Sequence, residues 1–174
     1  LNDCFSGEFD EKCFPIDIKN KDVLDLGCGP GFWVERMSKK NPRIIYACDL
    51  TEKALELTKK RCKFLSIDNF KLIQANAENL PFGDNAFDFI NCQGVVHHTP
   101  NTSNAISEIS RCLKPGGSFS SSVYYKNIFL RNWKIIRPIG KLLNYFGAGM
   151  KGRGRENIFS LKNISDIVRT YDGI

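Results

Sequence analysis

The stretch VLDLGCGPGFW, Val23 to Trp33, carries an apolar run into a turn with three glycines, Gly27, Gly29 and Gly31. Glycine at such a turn lets the backbone adopt positive φ and pass close to a small molecule. In an open parallel sheet, ligands bind outside the carboxyl ends of the strands, so this first turn is where chemistry is expected.

The residues around the glycines narrow the ligand. A dinucleotide site requires Gly-x-Gly-x-x-Gly, the third glycine letting the helix pack on the strand. Gly27 and Gly29 fit, but Phe32 occupies the third position and the glycine comes one residue early, at Gly31 after Pro30. Asp25 stands two residues before Gly27, at the end of the apolar run. A carboxylate there repels a pyrophosphate and favours a cationic group. Asp49, 20 residues beyond Gly29, ends the next β-rich run, where an acidic side chain accepts from both ribose hydroxyls. An adenosine with a positively charged substituent is S-adenosylmethionine. A ligand-free strand-to-helix turn is the plainer reading, and it leaves the agreement of these elements unexplained.

Working outward, short β-rich runs alternate with longer helical patterns, which predicts a parallel sheet covered by helices. Strands are expected near 22–27, 43–49, 70–75, 87–92 and 117–125, and helices near 31–40, 52–65 and 102–113. Thr51 is the expected N-cap of the second helix, whose Ala54, Leu55, Thr58, Cys62 and Leu65 recur at helical spacing. Right-handed crossovers then give an α/β, Rossmann-like, doubly wound and mostly parallel sheet. The segment 128–148 has apolar residues at helical intervals with Arg131, Lys134, Arg137 and Lys141 among them; Pro138 and Gly140 divide it.

Composition bounds the class. With 174 residues and 42% hydrophobic content, the chain is long enough to bury a real core. Its seven cysteines are odd in number and contain no Cys-x-x-Cys pair, which argues for free thiols and against a disulfide framework or metal site. No apolar run reaches the roughly 18 residues of a membrane helix, so integral membrane insertion is not expected and a soluble, cytoplasmic protein is. The net charge of +6 is uneven: residues 1–125 hold 15 Lys/Arg against 16 Asp/Glu, and residues 126–174 hold 10 against 3.

The series VLDLGCGPG, ACDLT, NAENLPFGDNAFDFI, GVVHHTPN and RCLKPGG, spread over about residues 20–125, resembles the class I S-adenosylmethionine-dependent methyltransferases, in particular the small-molecule group called type 11. The resemblance implies a cofactor site in which Asp25, Gly27, Gly29 and Gly31 surround the methionine part, with glycine-loop backbone near its amine and carboxylate. It further implies that Asp49 holds the ribose and Leu50 packs beside the adenine, and that Asn76, Ala77 and Glu78 lie at the adenine edge. Asn76 stands where the family has an acidic residue. Gln93 lies where the family approaches the sulfonium.

The implied reaction passes a methyl group to a small organic acceptor, for which an apolar lipid or quinone-like molecule suits the segment after residue 126. Positioning carries most of such a displacement, and a base is needed only for a protonated acceptor. His97 and His98, the only histidines, are the candidate bases. The Asn/Asp-Pro-Pro-aromatic and Pro-Cys signatures of base-modifying enzymes are missing around NCQG, so nucleic acid is not the expected partner and Cys92 reads as a buried strand residue. Two other readings stay open: a non-catalytic cofactor-binding partner subunit, and an RNA or protein methyltransferase docking through its basic C-terminal segment. Peripheral membrane contact through the same cations is a further option. Three segments are expected: a lead-in over 1–21, the cofactor-binding domain over 22–126, and a substrate-covering helical segment over 127–174. The family's sheet has seven strands ending in an antiparallel hairpin. Only five are legible here, so the hairpin is expected to be missing and the last segment truncated.

Overall fold

The computed structural model describes residues 17–123 and, beyond them, 132, 134, 135, 138, 139, 142 and 145. The chain divides into two compact units, Leu1–Tyr124 and Tyr125–Ile174. In the second unit Lys134, Ile135, Pro138, Ile139, Leu142 and Tyr145 are helical. Most of the lead-in and most of the segment expected to cover the substrate lie outside the described residues.

The first unit follows the alternating pattern. Its elements are β1 (Asp22–Leu26), α1 (Phe32–Ser38), β2 (Ile44–Asp49), α2 (Glu52–Phe64), β3 (Phe70–Gln74), β4 (Phe87–Gln93), a 3₁₀ turn (Val96–His98), α3 (Thr102–Cys112) and β5 (Leu113–Ser122). The sheet order is β3-β2-β1-β4-β5 with every pairing parallel. The chain therefore builds outward from β1 through β2 to β3, then returns to the other side of β1. That reversal opens a crevice between the loops after β1 and β4.

Period-two alternation sorts the strand residues between two cores. Val23, Ile45, Ala47 and Phe89 pack with Val34 and Met37 of α1 and Leu55 and Cys62 of α2. Leu24, Leu26, Cys48, Ile90 and Cys92 pack on the opposite side with Ala105, Ile109 and Cys112 of α3. Both faces are thus covered, and all five residues of β1 are buried. Thr51 caps α2 as expected, its Oγ1 accepting from Ala54 N at 3.4 Å.

Strand β5 begins at Leu113, four residues before the position read from the sequence. Leu113 pairs with Phe87, and the ladder shifts before resuming at Phe89 with Ser118. Pro115 has no N–H to give, and Gly116 adopts φ +76°. Pro-Gly-Gly, which reads as a loop, is an irregularity within a strand.

Between β3 and β4 no helix forms among the described residues. Instead Arg111 of α3 staples the loop. Its Nε and one terminal nitrogen donate to both Glu108 oxygens at 2.8 Å, and its other contacts are Leu80 O at 3.2 Å, Phe82 O at 2.8 Å and Asp84 Oδ1 at 2.9 Å. Glu108 Oε2 also accepts from Leu80 N at 2.7 Å. The guanidinium beside it holds the Glu108 carboxyl down at about 2, backbone donation from Leu80 helping.

Candidate active site at the switch point

The glycine turn is locked from within. Gly27 N and Cys28 N both donate to Cys48 O, at 2.7 and 2.9 Å, and Gly31 N donates to Cys28 O at 2.9 Å. Gly29 N donates to Asp49 Oδ2 at 3.0 Å, and Thr58 Oγ1 donates to Gly29 O at 2.9 Å. A Cβ on Gly27 (φ +75°) would overlap Val95 Cγ2, so this position needs glycine for space as well as for conformation. Gly29 (φ +52°) differs: a Cβ there meets nothing within 4 Å, which leaves an open cradle over the turn.

Beneath the turn, Asp25 is 1% exposed. Its Oδ1 accepts from Asn91 Nδ2 at 2.7 Å, while Oδ2 is buried without a hydrogen-bond partner. Burial pushes the carboxyl up from the usual 3.8 to about 7, with the Asn91 hydrogen bond opposing that rise and the charge of Asp49 adding to it. The repulsion expected of a fully charged carboxylate is therefore present only in part near neutrality. The orphaned oxygen is a specific demand for a positive or donating group.

Asp49 stands at the exit of β2. Its Oδ1 accepts from Thr51 N at 2.9 Å and Thr51 Oγ1 at 3.0 Å, so the carboxylate is fixed in one orientation. It borders a pocket of about 240 Å³ whose walls include Gly27, Leu50, Ala77, Val95 and His98. Leu50 is 65% exposed and lies on this rim, an apolar surface suited to a flat ring.

The residues picked out in the sequence divide into three groups. Gly27, Asp49, Leu50, Asn76, Ala77 and His98 border the pocket, whereas Asp25 lies in β1 beneath the glycine turn, and Gly29 and Gly31 lie within that turn. Glu78 does not line it: its Oε1 accepts from Asn101 N at 2.8 Å, tying the β3–β4 loop to the start of α3. Asn76 spends its Oδ1 on Glu78 N at 3.0 Å, which leaves its amide nitrogen as the end still to be engaged. Gln93 is half-buried and bonded within the sheet. The rings of His97 and His98 lie 4.1 Å apart, and only His98 borders the pocket. Among the described residues no cluster of metal-ligating side chains occurs. Burial pushes the thiols of Cys28, Cys48 and Cys92 up to about 12, so Cys92 is an inert strand residue as read.

Three residues of the site were not picked out as such. Thr58 holds the glycine turn, Val95 closes on Gly27, and Asn91 bonds Asp25. Thr58 had a legible signal, a hydroxyl inside the buried stripe of α2. Asn91 had one too, an amide within the apolar run of a central strand. The partner of neither could be read from spacing.

A parallel sheet with a glycine turn at its switch point, a buried carboxyl beneath it and an acidic residue at the next strand end defines an α/β domain for an adenosine-bearing cofactor. The orphaned Asp25 oxygen fits a cofactor with a cationic group, and the cradle over Gly29 fits its backbone-close approach. The family described as "Methyltransferase domain" matches residues 24–121. Demethylmenaquinone methyltransferase of Staphylococcus aureus (strain MRSA252) is 33% identical over 134 residues, 71% of this chain and 55% of that protein. The tRNA U34 carboxymethyltransferase of Nautilia profundicola is 37% identical over 106 residues, 59% of this chain and 34% of that protein. Among solved structures, an S-adenosylmethionine-dependent methyltransferase from Mesorhizobium loti superposes with TM-score 0.58 at 18% identity, covering 66% of this chain and 51% of that one. The chain belongs to the methyltransferase-domain family, whose methyl donor is S-adenosylmethionine. It spans about half the length of the first of these relatives.

Proposed function

We propose that the chain forms the cofactor-binding part of an S-adenosylmethionine-dependent methyltransferase acting on a small, apolar, quinone-like acceptor. The carrying observation is the buried, half-satisfied carboxyl of Asp25 beside a pocket bordered by Asp49 and Leu50. The acceptor class rests on the 33% identity with the demethylmenaquinone enzyme. When bound, the cofactor supplies an electrophilic methyl group on a leaving group already in place. The chain's residues then bind and orient: Asp49 receives the ribose hydroxyls, Leu50 covers the adenine, and Asp25 offsets the positive charge of the methionine end. His98, at the pocket wall, accepts a proton from a hydroxyl acceptor; His97 packs behind it.

Isothermal titration with S-adenosylhomocysteine tests this reading. Binding is expected, and Asp49→Ala weakens it by about 1–3 kcal/mol through loss of charged hydrogen bonds. No binding at millimolar ligand overturns it. The resemblance to a tRNA-modifying enzyme supports a second reading with an RNA acceptor. Transfer of a labelled methyl group to tRNA, but not to a demethylated, reduced quinol, selects it.

A further inference from the structure

We infer that Asn91 is a positioning residue for the cofactor site, acting with Gln93 and Ser120 as a hydrogen-bonded chain that holds the Asp25 carboxyl in one orientation. This rests on reading the Gly27–Gly31 turn as the cofactor site.

The geometry crosses three strands. Asp25 pairs in register with Asn91 of β4, and Asn91 with Ser120 of β5. Asn91 Nδ2 donates to Asp25 Oδ1 at 2.7 Å, and Gln93 Nε2 donates both to Asn91 Oδ1 and to Ser120 Oγ at 2.9 Å. An ionised carboxylate only accepts, so it forces Asn91 to turn its nitrogen inward and its oxygen toward Gln93. Gln93 must then offer its nitrogen, and both of its N–H groups are used. Each link thus fixes the next: from Gln93, donation runs through Asn91 to Asp25 on one side and to Ser120 on the other.

Packing alone does not call for these residues. Asn91 is fully buried on the sheet face whose apolar members include Val23, Ile45, Ala47 and Phe89, where an aliphatic side chain would fit the pattern. A buried amide left unpaired is costly, and the chain exists only because every member completes another. Of the forces on Asp25, the Asn91 hydrogen bond is the one favouring the ionised form. The other titratable groups acting with it are Asp49 at the end of β2, which disfavours ionisation, and the thiols of Cys28, Cys48 and Cys92, which are neutral. Without Asn91 the carboxyl would stay protonated through neutral pH and lose its attraction for a cationic ligand group.

The experiment follows the Asp25 carboxyl by carbon NMR in apo protein and S-adenosylhomocysteine affinity by calorimetry, both from pH 5.5 to 8.5. In the wild type the carboxyl is expected to titrate near 7, with affinity rising as it ionises. Asn91→Leu moves both midpoints up by about one pH unit and weakens binding at pH 7.5 about threefold. Gln93→Leu moves them less, and Ser120→Ala least. A folded Asn91→Leu protein with unshifted midpoints overturns the proposal. Should Asn91→Leu not fold, unshifted midpoints in both Gln93→Leu and Ser120→Ala do the same. A wild type that titrates near 7 but binds no S-adenosylhomocysteine overturns the cofactor reading and this proposal with it. Wild-type binding with indifferent variants removes this proposal alone.

Discussion

Asp25 illustrates a conflict between stability and function inside one side chain. Its folded value, about 7, lies above the usual 3.8, so between those values the folded protein holds a proton that the unfolded chain has released. Stability therefore falls as pH rises from about 4 to about 7 and levels off above, a loss of a few kcal/mol for one buried carboxyl. Asp25→Asn removes the titration while keeping an oxygen for Asn91. The apo variant should melt higher than wild type at pH 8, match it more closely near pH 4, and lose S-adenosylhomocysteine binding; calorimetric melting at the two pH values and a titration check this. Asp25 was legible as a candidate site residue because it breaks an apolar strand two positions before a glycine. Its partial protonation was not, since that depends on burial and on Asn91, which lies 66 positions away.

The β3–β4 loop shows how side-chain chemistry replaces a helix. Arg111 and Glu108, three residues apart on α3, grip backbone carbonyls and an amide of a segment with no helix or strand of its own. Glu108 titrates below its usual 4.5, so its contribution is present above that value and lost as pH falls through about 2. Glu108→Gln should lower stability by about 1 kcal/mol at pH 6, discounted for partial solvent screening, with the difference closing at pH 2. Because Asn76 and Ala77 of the same loop border the pocket, cofactor affinity should fall severalfold. Urea unfolding at both pH values and calorimetry measure the two effects. Helices and strands could be placed from periodicity to within a few residues, since both encode a repeating buried face. Strand β5 was misplaced at its start because Pro-Gly-Gly carries the same local signal whether it ends a strand or interrupts one.

At the scale of the molecule, the parallel direction of the strands follows from strand-helix alternation, while their order, β3-β2-β1-β4-β5, emerges from the structure, and the position of the pocket follows from the reversal beside β1. What sequence spacing could not supply is the lateral wiring: the Asp25–Asn91–Gln93–Ser120 chain joins residues brought side by side only by strand register. The same lateral packing has an analytical use. The thiols of Cys28, Cys48, Cys62, Cys92 and Cys112 are all buried, and the first, second and fourth neighbour Asp25 closely enough to feel its charge. A thiol that neither meets solvent nor ionises reacts with a disulfide reagent only while its surroundings are open. Reaction of these five thiols should be slow in native buffer, fast in urea, and slower still with saturating S-adenosylhomocysteine; mass spectrometry of labelled peptides over time checks this. The sheet thus contains its own clock for local opening, with hands on both faces, readable without introducing a probe.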